Sequence, residues 1–414
     1  MTQLNRIEGR LFFEEVPLDE LAARYGTPLY VYSAATLTEA YQTYEQVLSP
    51  IPHQVCYAVK ANSSLAILQH FARLGAGFDI VSGGELARVL KAGGKPAKVV
   101  FSGVGKTEAE MRQALMANIH CFNVESESEL YRLDTAAGKL GKPAPISFRV
   151  NPDVDPKTHP YISTGLKTNK FGVAITEAPT LYRIAVGLPN IRVIGVDCHI
   201  GSQLTDLSPI GDALGRVLVL VDNLEKDGIK LEHIDIGGGV GISYQDEIPP
   251  DMAEYGAMLN HRMAGRREVL YVEPGRSLVG NAGVLLSRVE YLKPGETKHF
   301  AVIDAAMNDL MRPALYDAYH DIQPVIDRPG TKKLYDIVGP VCETGDFIGL
   351  ERNLVLQEGD LVAILSTGAY GMSMSSNYNS RPRAAEVLLN KKKILLVRER
   401  ETDEQMMAGE RLVY

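Results

Sequence analysis

Eight short apolar runs, rich in β-branched residues, recur through the middle of the chain with longer stretches of mixed polarity between them. They are VCYAV from Val55, FDIV from Phe78, KVVF from Lys98, HCFNV from His120, ISFRV from Ile146, GVDCHI from Gly195, HIDI from His233 and VLYVEP from Val269. Runs of this length, bounded by turn residues, read as buried strands. Helix-start signals agree: SGGE from Ser82, TEAE from Thr107 and SESE from Ser126 each read as a capping box directly after a strand. Eight strands, each followed by a helix, predict an α/β fold that closes as a TIM-like (β/α)8 barrel. The segment TLTEAYQTYEQVL from Thr36 has helical periodicity and precedes the first strand.

After about Glu290 the pattern changes. HFAVID, LYDIVG, LVAIL and KKKILLVRE are strand-like, and Gly, Pro and Asp punctuate them more densely. A length of 414 residues favours two domains. The expected division is a barrel at residues 35–280 and a C-terminal mostly-β domain, sandwich or barrel, at residues 281–414. Residues 1–34 are expected to join the second domain. Whether PLYVY from Pro28 supplies a strand of its sheet stays open at this level.

Charge and composition remove some function classes. A net charge of −8 gives no general basic field for nucleic acid. No apolar run reaches membrane-spanning length, and the start MTQLNRIEGR has no signal-peptide core. A cytoplasmic protein without membrane contact is expected. The four cysteines are scattered, with no CxxC pair, so no metal site and no disulfide framework is indicated. Cys56, Cys121 and Cys198 lie in apolar runs and read as buried thiols; Cys342 does not.

The candidate chemistry falls where such a barrel keeps it, at the C-terminal ends of the strands. Lys60 follows the first strand in YAVKAN, and His199 ends the sixth in CHIGSQ. Gly237, Gly238 and Gly239 follow the seventh, and Glu273, Pro274, Gly275 and Arg276 follow the eighth. Alone, Lys60 would be a surface lysine, GGG a turn, and His199 a satisfied core histidine. Together they point to one mouth. A lysine at that rim can be tuned for Schiff-base chemistry. Glycine N–H groups after strand seven, with Arg276 and Ser202, can hold a phosphate. His199 can stack on a flat ring, and the Glu273 carboxylate can keep a pyridine nitrogen protonated.

YAVKAN, HIGSQ, GGG with VGISY, EPGR, GPVCETGD and GAYGMSMSSNYNSRPR together resemble the diaminopimelate decarboxylases. Six modest motifs in the right order cover nearly the whole chain, from Pro28 to Arg383. The resemblance implies an alanine-racemase-like barrel with a C-terminal β domain, pyridoxal 5'-phosphate as cofactor, and conversion of meso-diaminopimelate to L-lysine through an external aldimine. It also implies a homodimer in which each active site is shared between subunits.

By that resemblance Lys60 is the Schiff-base lysine and His199 stacks on the cofactor ring. Gly239 and the residues from Glu273 to Arg276, Gly275 among them, contact the cofactor. Arg276, Arg312 and Tyr316 hold the substrate's distal carboxylate. Cys342 is the proton donor, Glu343 meets the distal amino group, and Tyr370 touches cofactor and substrate. A decarboxylase of ornithine or arginine has the same barrel, but it binds a distal cation and has no use for a carboxylate clamp. An alanine-racemase-like activity is disfavoured by Glu273, since those enzymes place an arginine at the ring nitrogen. A non-catalytic cofactor carrier would resemble the barrel alone, whereas this chain carries further motifs well beyond it, and a regulatory homologue would not need Lys60 and Cys342 together.

Overall fold

The computed structural model describes residues 3–154, 170–296 and 298–414. All eight anticipated strands form: β1 (His53–Ala58), β2 (Gly77–Ile80), β3 (Val99–Phe101), β4 (Cys121–Val124), β5 (Ala144–Asn151), β6 (Ile191–Asp197), β7 (His233–Asp235) and β8 (Val269–Val272). Each pairs in parallel with the next, and β8 returns to β1 through Leu270 opposite His53, which closes the barrel. Closure gives each of the eight strands a partner on both sides. The sixth run is shorter than its apolar pattern: β6 stops at Asp197, and His199 belongs to the loop that follows.

Helices follow seven of the strands at full length. After β8 there is only the single turn Arg276–Val279. The helix Ala34–Leu48, placed before β1 as its periodicity predicts, packs against Met252–Met263. Tyr44 meets Tyr255 edge-on at 5.9 Å, and Asn260 Nδ2 donates to the Val47 carbonyl at 2.9 Å. The capping signals resolve into two kinds. Thr107 and Glu110 make the full reciprocal box. Ser82 and Ser126 accept from the Glu85 and Glu129 N–H groups, but those glutamates reach one residue further back, to the N–H groups of Val81 and Glu125.

The chain divides into two compact units: Ala40–Ile242 with Ile248–Ser277, and Met1–Glu39 with Ser243–Glu247 and Leu278–Tyr414. The second is built on the 11-residue strand Gly283–Lys293. That strand pairs with Leu29–Ser33, Leu361–Ile364 and His299–Ile303 along its length. PLYVY therefore does supply a strand, antiparallel to Gly283–Lys293 on one side and parallel to Ala385–Asn390 on the other. Its alternate residues Leu29 and Val31 enter a core with Val284, Leu286, Val387 and Leu389. Phe13 and Leu11, from a small N-terminal three-stranded sheet, join the same core.

Candidate active site

Chemistry gathers at the C-terminal rim of the barrel. Lys60 sits in the 3-10 turn Val59–Ala61 that ends β1. Its ammonium lies 2.7 Å from Asp79 Oδ2 on the neighbouring strand β2. The Asp79 side chain is fully buried, whereas that of Lys60 is 39% exposed. An anchored carboxylate thus faces a lysine that can still be reached from the mouth.

Asp79 has company. Asp197 and Asp235 end β6 and β7, and Glu273 directly follows β8, all of them buried. The carboxylate oxygens of Asp197, Asp235 and Glu273 lie within 4.8 Å of one another. That spacing would suit a cation, and the buried Arg149 guanidinium supplies positive charge there, 3.5 Å from Glu125 and 3.9 Å from Asp197. Burial, and then mutual repulsion, drives the carboxyl groups of Asp197 and Glu273 well above the usual range, and burial raises that of Asp235. Glu273 Oε1 is buried without a hydrogen-bond partner. Glu85 stands close by; its carboxyl is pushed up to about 7, chiefly by burial.

Three loops close the rim. Gly237 N–H donates to Asp235 Oδ1, Gly238 N–H to His199 Nδ1 at 3.3 Å, and Glu273 N–H to the Gly237 carbonyl. A Cβ on Gly238 would stand 2.2 Å from the Glu273 carbonyl oxygen, and Gly239 adopts φ +116°. Only glycine fits both positions. Arg276 Nη2 donates to Ser202 Oγ at 3.1 Å, so a cation and a hydroxyl already face the glycine loop. Gly275 packs close to Ala58 and Ala61, drawing the β8 loop onto the Lys60 turn. His199 is kept neutral: burial, helped by the charges of Arg149 and Lys60, lowers its imidazole well below the ordinary value.

The remaining predicted residues belong to the β unit. Arg312 and Tyr316 begin and end one short helix, Arg312–Tyr316, and the four-residue spacing puts them on one face. Arg312 Nη1 donates to His320 Nε2 at 2.8 Å, and its guanidinium lies 4.5 Å from the Tyr244 ring centre. Cys342 and Glu343 are exposed on a loop of the same unit. Asn379 Oδ1 accepts from Cys342 N–H at 3.1 Å, and Tyr378 donates to Glu343 Oε1 at 2.5 Å. Tyr370 lies in the loop after Leu361–Ile364 with a left-handed backbone, φ +55°.

Sequence reasoning missed Asp79, Arg149, Asp197 and Asp235. Each interrupts an apolar strand near its C-terminal end, and strand alternation directs such a side chain into the barrel. A charged residue recurring at that one place was the available signal. His320 and Tyr378 gave no comparable signal, because their roles rest on contacts between segments distant in sequence.

The family description "Pyridoxal-dependent decarboxylase, pyridoxal binding domain" matches residues 34–280. A diaminopimelate decarboxylase of Vibrio cholerae is 60% identical over 395 residues, 95% of each chain. One from Pseudomonas aeruginosa is 59% identical over 406 residues, 98% of each chain. Among solved structures, diaminopimelate decarboxylase of Helicobacter pylori complexed with L-lysine superposes with a TM-score of 0.91 at 43% identity. That likeness covers 94% of this chain and 98% of the other.

Proposed function

The chain belongs to the pyridoxal-dependent decarboxylases, and from that premise we propose that it removes CO₂ from meso-diaminopimelate to form L-lysine. The observation that carries the chemistry is the buried, unpartnered Glu273 Oε1 at the same rim as Lys60 and the glycine loop. A protonated ring nitrogen would give that oxygen its partner. The Arg276–Ser202 pair suits a phosphate, and the Lys60 amine suits an aldehyde. The residues present therefore fit pyridoxal phosphate.

When bound, that cofactor supplies an electron sink for the pair left at Cα as CO₂ departs. Lys60 would hold the cofactor by its aldehyde. Gly239, Ser202 and Arg276 would bind the phosphate, with Gly238 and Gly275 shaping the adjoining loops. His199, being neutral, offers a flat face without competing for the ring's proton. Glu273 holds a proton at the ring nitrogen.

Recognition and proton return fall to the β unit. Arg312 and Tyr316, with Arg276, hold the distal carboxylate, and Glu343 holds the distal amino group. Tyr370 touches cofactor and substrate. Cys342 Sγ returns a proton to Cα. Cys342 and Glu343 stand exposed on a single chain, which supports a homodimer whose subunits exchange these loops to complete each site. An exposed thiol needed in its reduced form favours the cytoplasm.

The test is release of CO₂ by purified protein from meso-diaminopimelate, ornithine, arginine and lysine, each supplied separately with pyridoxal phosphate. Turnover of diaminopimelate with equimolar lysine is expected. Preference for ornithine or arginine would overturn the substrate, and no turnover with any of them would overturn the activity.

A further inference from the structure

The HIGSQ segment contributes more than His199 and Ser202. Gln203, its last residue, has a left-handed backbone, φ +60°. A non-glycine residue adopts that conformation at a cost that surrounding contacts must offset. Here they come from the side chain. Gln203 Nε2 donates to the Ile242 carbonyl at 2.6 Å, and Gln203 Oε1 accepts from Ile242 N–H at 3.2 Å. One side-chain amide satisfies both backbone groups of a single residue.

Ile242 ends the glycine loop after β7, whereas Gln203 belongs to the loop after β6. The two loops are joined again at the next residue. Leu204 N–H donates to the Gly239 carbonyl at 2.8 Å and Gly241 N–H to the Leu204 carbonyl at 2.9 Å, forming a parallel bridge between Leu204 and Val240. Gly239 passes so close that a Cβ would stand 2.6 Å from the Gly201 carbonyl oxygen. The Ser202 hydroxyl and the Gly239 N–H, on opposite loops, owe their spacing to this zipper.

We propose that Gln203 is a positioning residue for phosphate: its amide latches the loop after β6 to the glycine loop, holding Ser202 and Gly239 at the separation a phosphate monoester needs. The inference rests on the reading of this rim as a pyridoxal phosphate site. It concerns phosphate recognition alone, independent of which amino acid is decarboxylated.

Gln203→Asn keeps an amide one carbon short and tolerates the left-handed backbone; Gln203→Gly removes the amide without steric penalty. Apoproteins of wild type and both variants are titrated with pyridoxal phosphate and with pyridoxal, which carries the same aldehyde and ring without phosphate. Hydrogen exchange of the Ile242 amide is followed in parallel. The expected result is a loss of pyridoxal phosphate affinity of about ten- to a hundredfold, as removal of two hydrogen bonds implies. Pyridoxal affinity should change far less, and Ile242 should exchange faster in both variants. Equal losses for the two ligands would make Gln203 merely structural and overturn the proposal, as would an unchanged ratio in whichever variant folds. A wild type that binds both ligands equally would overturn the phosphate cradle and the latch with it. A wild type that prefers the phosphate ester but does not release CO₂ would overturn the proposed activity and leave the latch supported.

Discussion

Lys60 Nζ and Asp79 Oδ2 lie 2.7 Å apart, the carboxylate wholly buried and the ammonium partly exposed. Removing the cation strands the anion. Lys60→Ala should abolish turnover and the visible absorption of lysine-linked cofactor while keeping the circular dichroism of the folded chain. It should also lower stability by about 1–3 kcal/mol, reduced by the solvent that already screens Lys60. Lys60→Ala with Asp79→Asn should regain part of that loss without regaining activity. A double variant no more stable than Lys60→Ala alone would show that the stranded carboxylate costs nothing.

Glu273→Gln should separate activity from stability. A neutral amide no longer favours the protonated ring nitrogen, so kcat should fall about thirty- to a thousandfold, or roughly 2–4 kcal/mol, with cofactor retained. The Glu273 carboxyl is raised by burial and by Asp235, Asp79 and Asp197. A raised acid gives its full stability below the unfolded value near 4.5 and loses it as pH rises through the folded value. Apoprotein carrying Gln should therefore melt higher than wild type at neutral pH, the gap narrowing as pH falls towards 4.5. A constant gap would place the effect elsewhere.

Arg312→Ala should raise KM for diaminopimelate by about ten- to a hundredfold while affinity for pyridoxal phosphate changes little. His320 and Tyr244 hold the guanidinium in place. Loss of cofactor affinity with KM unchanged would move Arg312 to the phosphate side.

Mixing Lys60→Ala with Cys342→Ala, both inactive, should restore about a quarter of wild-type activity once subunits exchange at random. Mass-tagged subunits report the exchange. Complete exchange with no recovery would place Cys342 in its own chain's site and overturn the shared site.

At the opposite end of the barrel, His120, His233 and Tyr271 pack ring against ring, with centroids 4.7–5.1 Å apart. Burial lowers the imidazoles of His120 to about 4 and His233 to about 3. The unfolded chain takes up these protons from about pH 6.5 downward, so stability present above 6.5 is lost as pH falls towards the folded values. His233→Asn should flatten the slope of stability against pH between 3 and 6.5, by at most about 1.4 kcal/mol per pH unit. An unchanged slope, measured by denaturant titration across that range, would assign acid sensitivity to other groups.

The barrel was legible because its strands are short, apolar and separated by helix starts, and because each motif ends a strand. The single-turn replacement of the eighth helix was not, since periodicity says nothing of which helix covers which strand. Lys60 and Glu273 stood out as candidates by their places beyond β1 and β8. Asp79 was hidden by its strand: FDIV reads as apolar, and the partner that gives its charge a purpose lies 19 residues earlier. Arg312 came only from resemblance, because a five-residue helix has no periodicity to detect.

The strand Leu29–Ser33 has a consequence for biosynthesis. It leaves the ribosome long before Gly283 or Ala385, its two flanking partners, has been translated. The barrel can close while synthesis continues, but this stretch of LYVYS must wait with both hydrogen-bonding edges bare. During that interval it is an adhesive ribbon, open to pairing with another nascent chain. Slower translation through residues 283–390 should therefore increase aggregation unless a chaperone shields the amino-terminal segment.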